Sequence, residues 1–136
     1  MKTAAVDTYT SYWQQMQRAY AKASVDGTDI KKYAAAAALR QAEVDTQRMH
    51  KEGQVVTGQV VVGSPTVTQV DSAKKVPSAT VSSCLDISQW KVVEGGTGKP
   101  VSLPTDRRLK YVIIGTIEKW PDGWKVIKDE PQDKPC

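Results

Sequence analysis

The sequence contains no asparagine and no phenylalanine, and it has one histidine and two cysteines among its 136 residues. The absence of asparagine excludes N-linked glycosylation. Without phenylalanine, the aromatic part of the core has to come from four tryptophans and five tyrosines. No apolar run approaches the roughly 20 residues that a membrane-spanning helix needs. We therefore expect no membrane span.

The length and charge of the chain fit one ordinary globular domain, which we expect to cover residues 1–136. Hydrophobic residues make up 40% of the sequence and the formal net charge is +4, a balance that disordered chains do not have. The positive charge is divided nearly evenly along the chain, and only the stretch 107–110 is locally basic. Proteins that bind nucleic acids concentrate lysine and arginine on one face, so no nucleic-acid partner is predicted.

The two cysteines are Cys84, in a predicted strand, and Cys136, the last residue. Metal sites need clustered ligands, and this chain offers too few cysteines and histidines close together, so neither a metal nor another cofactor is expected. A disulfide between the two cysteines would instead anchor the C-terminal end and stabilise the fold by about 4 kcal/mol. Because such bonds persist only in oxidising compartments, we predict a secreted or cell-envelope protein.

Export requires a targeting segment, but the first seven residues include no apolar stretch of that kind. We expect Met1 and Lys2 to be additions, and an export signal or a lipid anchor to have been removed upstream of them. Two alternatives remain open at this point. The cysteines could be free thiols in a cytosolic protein, or they could pair between two chains.

Apolar residues in the first part of the chain recur at spacings of three and four, which is typical of helices. The stripe of a first helix contains Val6, Tyr9, Trp13, Met16, Tyr20 and Ala23. After Asp26-Gly27, a second helix capped by Thr28 has the stripe Ile30, Tyr33 and Ala37. A third stripe is out of phase with the second and contains Leu39, Ala42, Thr46 and Met49. We therefore predict a break within 34–38 and a helix end at Gly53.

After Gly53 the pattern changes to the two-residue period of strands. Strands are predicted over 54–62, 65–71, 76–87, 109–120 and 124–128. The segment 94–106 is expected to be a long exposed loop, and Pro121-Asp122-Gly123 a hairpin turn. In the third strand, Ala79, Val81, Ser83 and Leu85 should share one face, opposite Thr80, Ser82, Cys84 and Asp86.

Helices followed by antiparallel strands indicate the α+β class. The expected architecture has three N-terminal helices, at about 4–53, packed on a curved antiparallel β-sheet at about 54–130. The disulfide would then tether a tail at 131–136. A twisted sheet that curls around the first helix leaves a pocket on its concave side unless large side chains fill it.

Several segments resemble the nuclear transport factor two-like superfamily. They are Tyr12-Trp13 to Tyr20-Ala21, then 33–39 followed by Ala42-Glu43, and the hairpin 120–124. More narrowly, the chain is similar to secreted or lipoprotein members from actinobacteria. The resemblance implies a cone-shaped, cystatin-like α+β fold with a pocket. It implies no reaction, because the superfamily includes enzymes, binding proteins and assembly modules, and the acidic base of its steroid-isomerase-like enzymes is not evident here.

Few residues qualify for catalysis. His50, at the end of the third predicted helix, can interact with the terminal carbonyls. Asp86 could act as a general base, but it more simply begins a turn. Ser82 and Ser83 lack the glycines of a nucleophile elbow, and the glycine-rich stretch 95–99 does not match a phosphate-binding loop. We therefore predict no catalytic residue, and the protein is expected not to be an enzyme.

Aromatic side chains are the remaining functional candidates, because their rings combine a large apolar area with polar edges. The candidate pocket-lining residues are Tyr12, Trp13, Met16, Tyr20, Tyr111 and Trp124. The simpler interpretation is that the same side chains form the core, because the sequence has no phenylalanine to do so. The predicted function is a non-enzymatic extracytoplasmic domain that binds a protein partner or a small apolar ligand at the cell envelope. The alternatives are a small lyase or isomerase acting in the pocket, and a homo-oligomeric module such as a homodimer through the sheet.

Overall fold

The computed structural model describes all of residues 1–136 and has the predicted α+β architecture, with the helices before the strands. The helices are α1 (Lys2–Lys22), α2 (Ile30–Tyr33) and α3 (Ala36–Lys51). The strands are β1 (Gln54–Thr57), β2 (Val61–Asp71), β3 (Ser78–Asp86), β4 (Lys91–Glu94), β5 (Lys110–Trp120) and β6 (Gly123–Pro135). None of the helices combines the length and the hydrophobicity that crossing a bilayer would require.

The predicted helical stripes are largely confirmed. Most of the α1 stripe is buried, with Val6 and Tyr20 half-buried, and the α3 stripe is buried except for Leu39, which is half-buried. The predicted break is also present, but it shortens α2 to four residues. Ala34 and Ala35 are extended, and the Ala35 N–H donates to the carbonyl of Val126 at 3.0 Å. This bridge to β6 replaces helical hydrogen bonds, so Ala37 belongs to α3 and is exposed, contrary to its prediction on the α2 stripe.

A buried lysine holds the end of α2 against the sheet. The side chain of Lys125 in β6 is only 5% exposed. Its Nζ donates to the carbonyl oxygens of Lys31 at 3.1 Å and Lys32 at 2.9 Å, and lies 3.1 Å from Oδ2 of Asp122. The last carbonyls of a helix have no partner within the helix. Lys125 donates hydrogen bonds to two of these carbonyls. These bonds explain how a charged side chain is accommodated in a buried position.

The strands form two antiparallel sheets rather than the single sheet expected. Four strands are ordered β2-β3-β5-β6, and β1 pairs separately with β4. The chain turns between β1 and β2 at Gly58, whose φ is 91°. A Cβ at this position would collide with the backbone carbonyl of Gln89, so only glycine fits. The predicted strand 54–62 is therefore divided at this turn.

Three other strand predictions need correction. β2 is continuous through Pro65, with a register shift between Gly63 and Thr66 instead of a break. β4 occupies 91–94, just before and at the start of the predicted loop. β6 extends to Pro135, which pairs with Tyr111 of β5, so most of the predicted tail is strand. These three strands pair with β3, β1 and β5, respectively.

The disulfide joins Cys84 to Cys136 within one chain, with a Cα–Cα distance of 5.8 Å, as predicted. The alternation of β3 is also confirmed, because Ala79, Val81, Ser83 and Leu85 are buried, while Cys84 is on the opposite face. In the sheet, β5 lies between β3 and β6. The disulfide therefore links the end of β6 to β3, a strand with which β6 shares no hydrogen bonds.

The core lies between α1 and the inner face of the four-stranded sheet, and a glycine makes the closest approach possible. Tyr9 is completely buried over Gly115 of β5. A Cβ at position 115 would lie 2.5 Å from Cε1 of Tyr9, so any side chain there would displace the ring. Because Gly115 has no side chain, the Tyr9 ring packs directly on β5. Its hydroxyl then reaches β6, where the candidate site begins.

Candidate functional site

A cavity of about 360 Å³ opens between α1, α3 and the inner face of the sheet. Small-molecule sites commonly fall in the range of roughly 300–1,000 Å³. The lining residues are mostly aromatic or apolar, and they are Tyr12, Trp13, Met16, Tyr20, Gln41, Asp45, Trp90, Tyr111, Ile113, Asp129 and Pro131. We call this space the aromatic cavity.

Five of the six side chains that the sequence put forward line this cavity: Tyr12, Trp13, Met16, Tyr20 and Tyr111. Trp124 does not. It pairs with Lys119 next to the hairpin turn, whereas β6 reaches the cavity only farther along, at Asp129 and Pro131. Trp90 was missed because it lies in the turn between β3 and β4, outside any periodic pattern.

The aromatic rings contact one another in a continuous series. Ring centroids are 5.7 Å apart for Tyr12 and Trp13, 6.3 Å for Trp13 and Trp90, and 5.5 Å for Tyr20 and Trp90. The first and last of these pairs are edge-to-face, a favourable arrangement for aromatic quadrupoles. The series fixes the ring orientations, so the wall of the cavity is built before any ligand arrives.

Asp129 is the most unusual group in the cavity. The Tyr9 hydroxyl donates a hydrogen bond to its Oδ1 at 2.8 Å. The pKa of Asp129 is raised to about 7, mainly by burial and to a smaller extent by the negative charge of Glu130. The hydrogen bond from Tyr9 acts in the opposite direction and lowers this pKa. Asp129 therefore changes charge near neutral pH.

The tyrosines around Asp129 remain neutral at neutral pH. Burial raises the pKa of Tyr9, Tyr12, Tyr20 and Tyr111, and the negative charge of Asp129 raises each of them further. Their hydroxyls are therefore hydrogen-bond donors and acceptors, not charged groups. Only carboxylates supply charge inside this cavity.

The second carboxylate in the lining of the cavity is Asp45 of α3. It accepts hydrogen bonds from Gln41 Nε2 at 2.9 Å and from the Tyr20 hydroxyl at 3.4 Å. Arg48 Nη2 is 3.9 Å from its Oδ1, but the arginine side chain is 62% exposed. A smaller cavity of about 190 Å³ continues beyond Tyr20, Asp45 and Trp90.

Two indole nitrogens among the lining residues have no hydrogen-bond partner. Nε1 of Trp13 and Nε1 of Trp90 are both buried and unpaired. Buried donors normally find an acceptor, so each exception requires an explanation. Here both belong to residues of the aromatic cavity.

The other sequence candidates lie elsewhere. His50 is exposed and lines a separate cavity of about 390 Å³ whose walls are mainly polar surface side chains, including Asp26 and Glu43. Asp86 accepts the Ser88 N–H at 2.9 Å, and this hydrogen bonding lowers its pKa, as expected for a turn.

The two candidate serines are structural or outward-facing. Ser83 donates a hydrogen bond to the carbonyl of Gly63 at 2.8 Å, and Ser82 is on the outer face of β3. No group of three His, Cys, Asp or Glu side chains gathers into a site suited to a metal ion. The larger polar cavity at His50 also has no tyrosine or tryptophan among its lining residues.

Comparison with known proteins identifies the fold but no family. No family model and no curated protein sequence matches the chain. Among solved structures, the intermembrane space region of the chloroplast protein ARC6 matches with a TM-score of 0.62 and 9% sequence identity. The match covers 100% of this chain and 98% of that chain. At this identity the likeness is one of fold.

Proposed function

We propose that this protein is a non-enzymatic extracytoplasmic domain, of the cone-shaped nuclear transport factor two-like type, that binds a small and largely apolar ligand. The observation that carries the proposal is the aromatic cavity, in which the rings leave about 360 Å³ unfilled. Protein cores are normally close-packed. An open space of this size among fixed rings favours a binding site over a core.

Two further observations support this function. The Cys84–Cys136 disulfide favours a compartment outside the cytoplasm, and the similar region of ARC6 belongs to an intermembrane space. Between a protein partner and a small ligand, the concave shape of the cavity favours the small ligand, because protein interfaces are usually larger and flatter.

A pair of glutamines on α3 provides a matched test. Gln41 and Gln47 are both exposed, but Gln41 lines the aromatic cavity and Gln47 lines the polar cavity at His50. Gln41→Trp is expected to weaken binding of the neutral apolar probe N-phenyl-1-naphthylamine at least about tenfold, which corresponds to about 1.4 kcal/mol. Probe fluorescence titrations measure this effect.

Gln47→Trp is the control, and we expect it to bind the probe like the wild type. Equal binding by all three proteins would place the probe elsewhere and count against the aromatic cavity. Failure of the wild type to bind would count against an apolar-ligand function altogether.

A second candidate function is proton transfer by a small lyase or isomerase. It is favoured by one observation, the carboxyl of Asp129 with a pKa of about 7 beside an apolar cavity, because a general base works best when its pKa is near the working pH. If this function is correct, small ketones in deuterated water should exchange protons next to the carbonyl, and Asp129→Asn should abolish the exchange. NMR spectra matching a protein-free blank would remove this candidate.

A further inference from the structure

We propose that the ligand of the aromatic cavity is an organic monocation, an amine or quaternary ammonium compound with small apolar substituents. This inference rests on the proposed function and names the ligand class. It is carried by the combination of carboxylates, aromatic rings and the absence of basic side chains in one cavity.

The charge of the cavity is opposite to that of the whole protein. The chain has a net charge of +4, yet the cavity lining contains Asp45 and Asp129 and no lysine, arginine or histidine. Asp45 is near Arg48, at 3.9 Å. Asp129 has no basic partner and receives only the hydrogen bond from Tyr9. Asp129 is therefore a half-buried carboxylate that lacks a counter-ion, and a cationic ligand would supply one.

The rings complement the carboxylates. Five lining residues are aromatic: Tyr12, Trp13, Tyr20, Trp90 and Tyr111. Ring faces attract cations placed within about 6 Å of the centroid, and tryptophan does so most strongly. An ammonium group with methyl substituents is both positive and apolar at its surface, so it matches both parts of the lining.

Other ligand classes fit less well. An anion would meet two carboxylates and no basic group, which is repulsive at these short distances. A neutral apolar ligand would remove water from Asp129 without offering it a partner, and an unpaired buried charge is costly. The lining therefore selects for positive charge as well as for apolar surface.

Choline and its neutral isostere 3,3-dimethylbutan-1-ol test the inference directly, because they differ by one atom, nitrogen or carbon. At pH 8 and constant ionic strength, we expect choline to bind at least about tenfold more tightly than the isostere, in line with a desolvated cation–π contact and a carboxylate. Titrations followed by tryptophan fluorescence and by NMR report binding, because Trp13 and Trp90 line the cavity.

Variants separate the charge from the shape of the site. Asp129→Asn keeps the size of the side chain, and we expect it to weaken choline binding about tenfold while leaving the isostere unchanged. Asp45→Asn removes the charge of the second carboxylate, and we expect it also to weaken choline binding. Asp26→Asn, in the separate polar cavity, is the control and should bind both compounds like the wild type.

The pH dependence provides a further signature. Choline affinity should rise about fivefold between pH 6 and pH 8, as Asp129 with its pKa of about 7 loses its proton. The other groups that face Asp129 are the neutral Tyr9, Tyr12, Tyr20 and Tyr111 and the carboxylates of Asp45 and Glu130. Affinity of the isostere, and choline affinity of Asp129→Asn, should change little over this range.

Three results would overturn the inference. If the isostere binds as tightly as choline, the cavity takes neutral ligands, and the proposed function stands without its cation preference. If neither choline nor the isostere binds but N-phenyl-1-naphthylamine does, the cation preference fails and the proposed function stands. If none of the three binds, both the inference and the proposed function fail.

Discussion

Replacing Cys84 and Cys136 together by serine is expected to lower the free energy of unfolding by about 4 kcal/mol. The bond closes a loop with a sequence separation of 52 residues. A cross-link of that length removes many conformations from the unfolded chain, so its loss stabilises the unfolded state. Guanidinium denaturation followed by circular dichroism measures the difference, and both cysteines are replaced so that no free thiol remains.

The same substitution should also affect the aromatic cavity. The disulfide fastens the end of β6, and the same strand provides Asp129 and Pro131 to the cavity wall. We therefore expect weaker binding of N-phenyl-1-naphthylamine by the double variant under conditions in which it is still folded.

Reduction of the wild type is the internal control for this prediction. A reductant should lower the stability of the wild type to that of the double variant and leave the variant unchanged. A stability difference below about 1 kcal/mol would contradict the prediction. It would mean that pairing of β6 with β5 holds the C-terminal end without the bond.

The parts of the fold that the sequence predicts are those set by local patterns. The α1 stripe follows from the spacing of its apolar side chains, and the hairpin between β5 and β6 follows from Pro121-Asp122-Gly123. Five of the six candidate residues lie around the aromatic cavity. Three of them, Trp13, Met16 and Tyr20, are on one side of α1 because of their three-residue and four-residue spacing. None of these predictions requires knowledge of a distant partner.

The incorrect predictions depend on how strands pair with one another. β1 pairs with β4, Gln54 opposite Glu94, and no local pattern indicates that these strands leave the main sheet. The same applies to Trp90, which is brought to the cavity by the turn that precedes β4. Sequence patterns identify strands more readily than they identify which strands pair.

Asp129 was missed because it lies beyond the predicted strand 124–128, and because β6 contains a single extra residue. Val126 lies opposite Ile117, and Lys128 lies opposite Thr116, so Ile127 is inserted between them. Strict alternation from Val126 would place Asp129 on the outer face. The bulge reverses the alternation and turns Asp129 towards the inner face, opposite Gly115. The one-residue register shift thus places the Asp129 carboxyl in the aromatic cavity.

Asp129→Asn is expected to raise the free energy of unfolding at pH 8 by up to about 4 kcal/mol. The folded state has a pKa of about 7 for this carboxyl, above the unfolded value of about 3.9. Between these values the folded protein binds more protons than the unfolded chain, so wild-type stability falls as pH rises from about 4 through 7. The asparagine side chain still accepts the Tyr9 hydrogen bond but carries no charge.

Denaturation curves at pH 4, 6 and 8 measure this effect. The variant and the wild type should differ little at pH 4 and most at pH 8. Asp106→Asn, at an exposed loop position, is the control and should stay within about 0.5 kcal/mol of the wild type at every pH. A variant that is less stable than the wild type at pH 8 would show that the Asp129 carboxylate is stabilised in the free protein.

The predicted gain in stability bears directly on function. A carboxylate that lowers the stability of the fold at neutral pH, and that asparagine could replace, has no structural reason to be charged. Groups of this kind are characteristic of binding and catalytic sites. A bound cation would reverse the penalty, so choline should raise the melting temperature of the wild type at pH 8 and leave that of Asp129→Asn nearly unchanged.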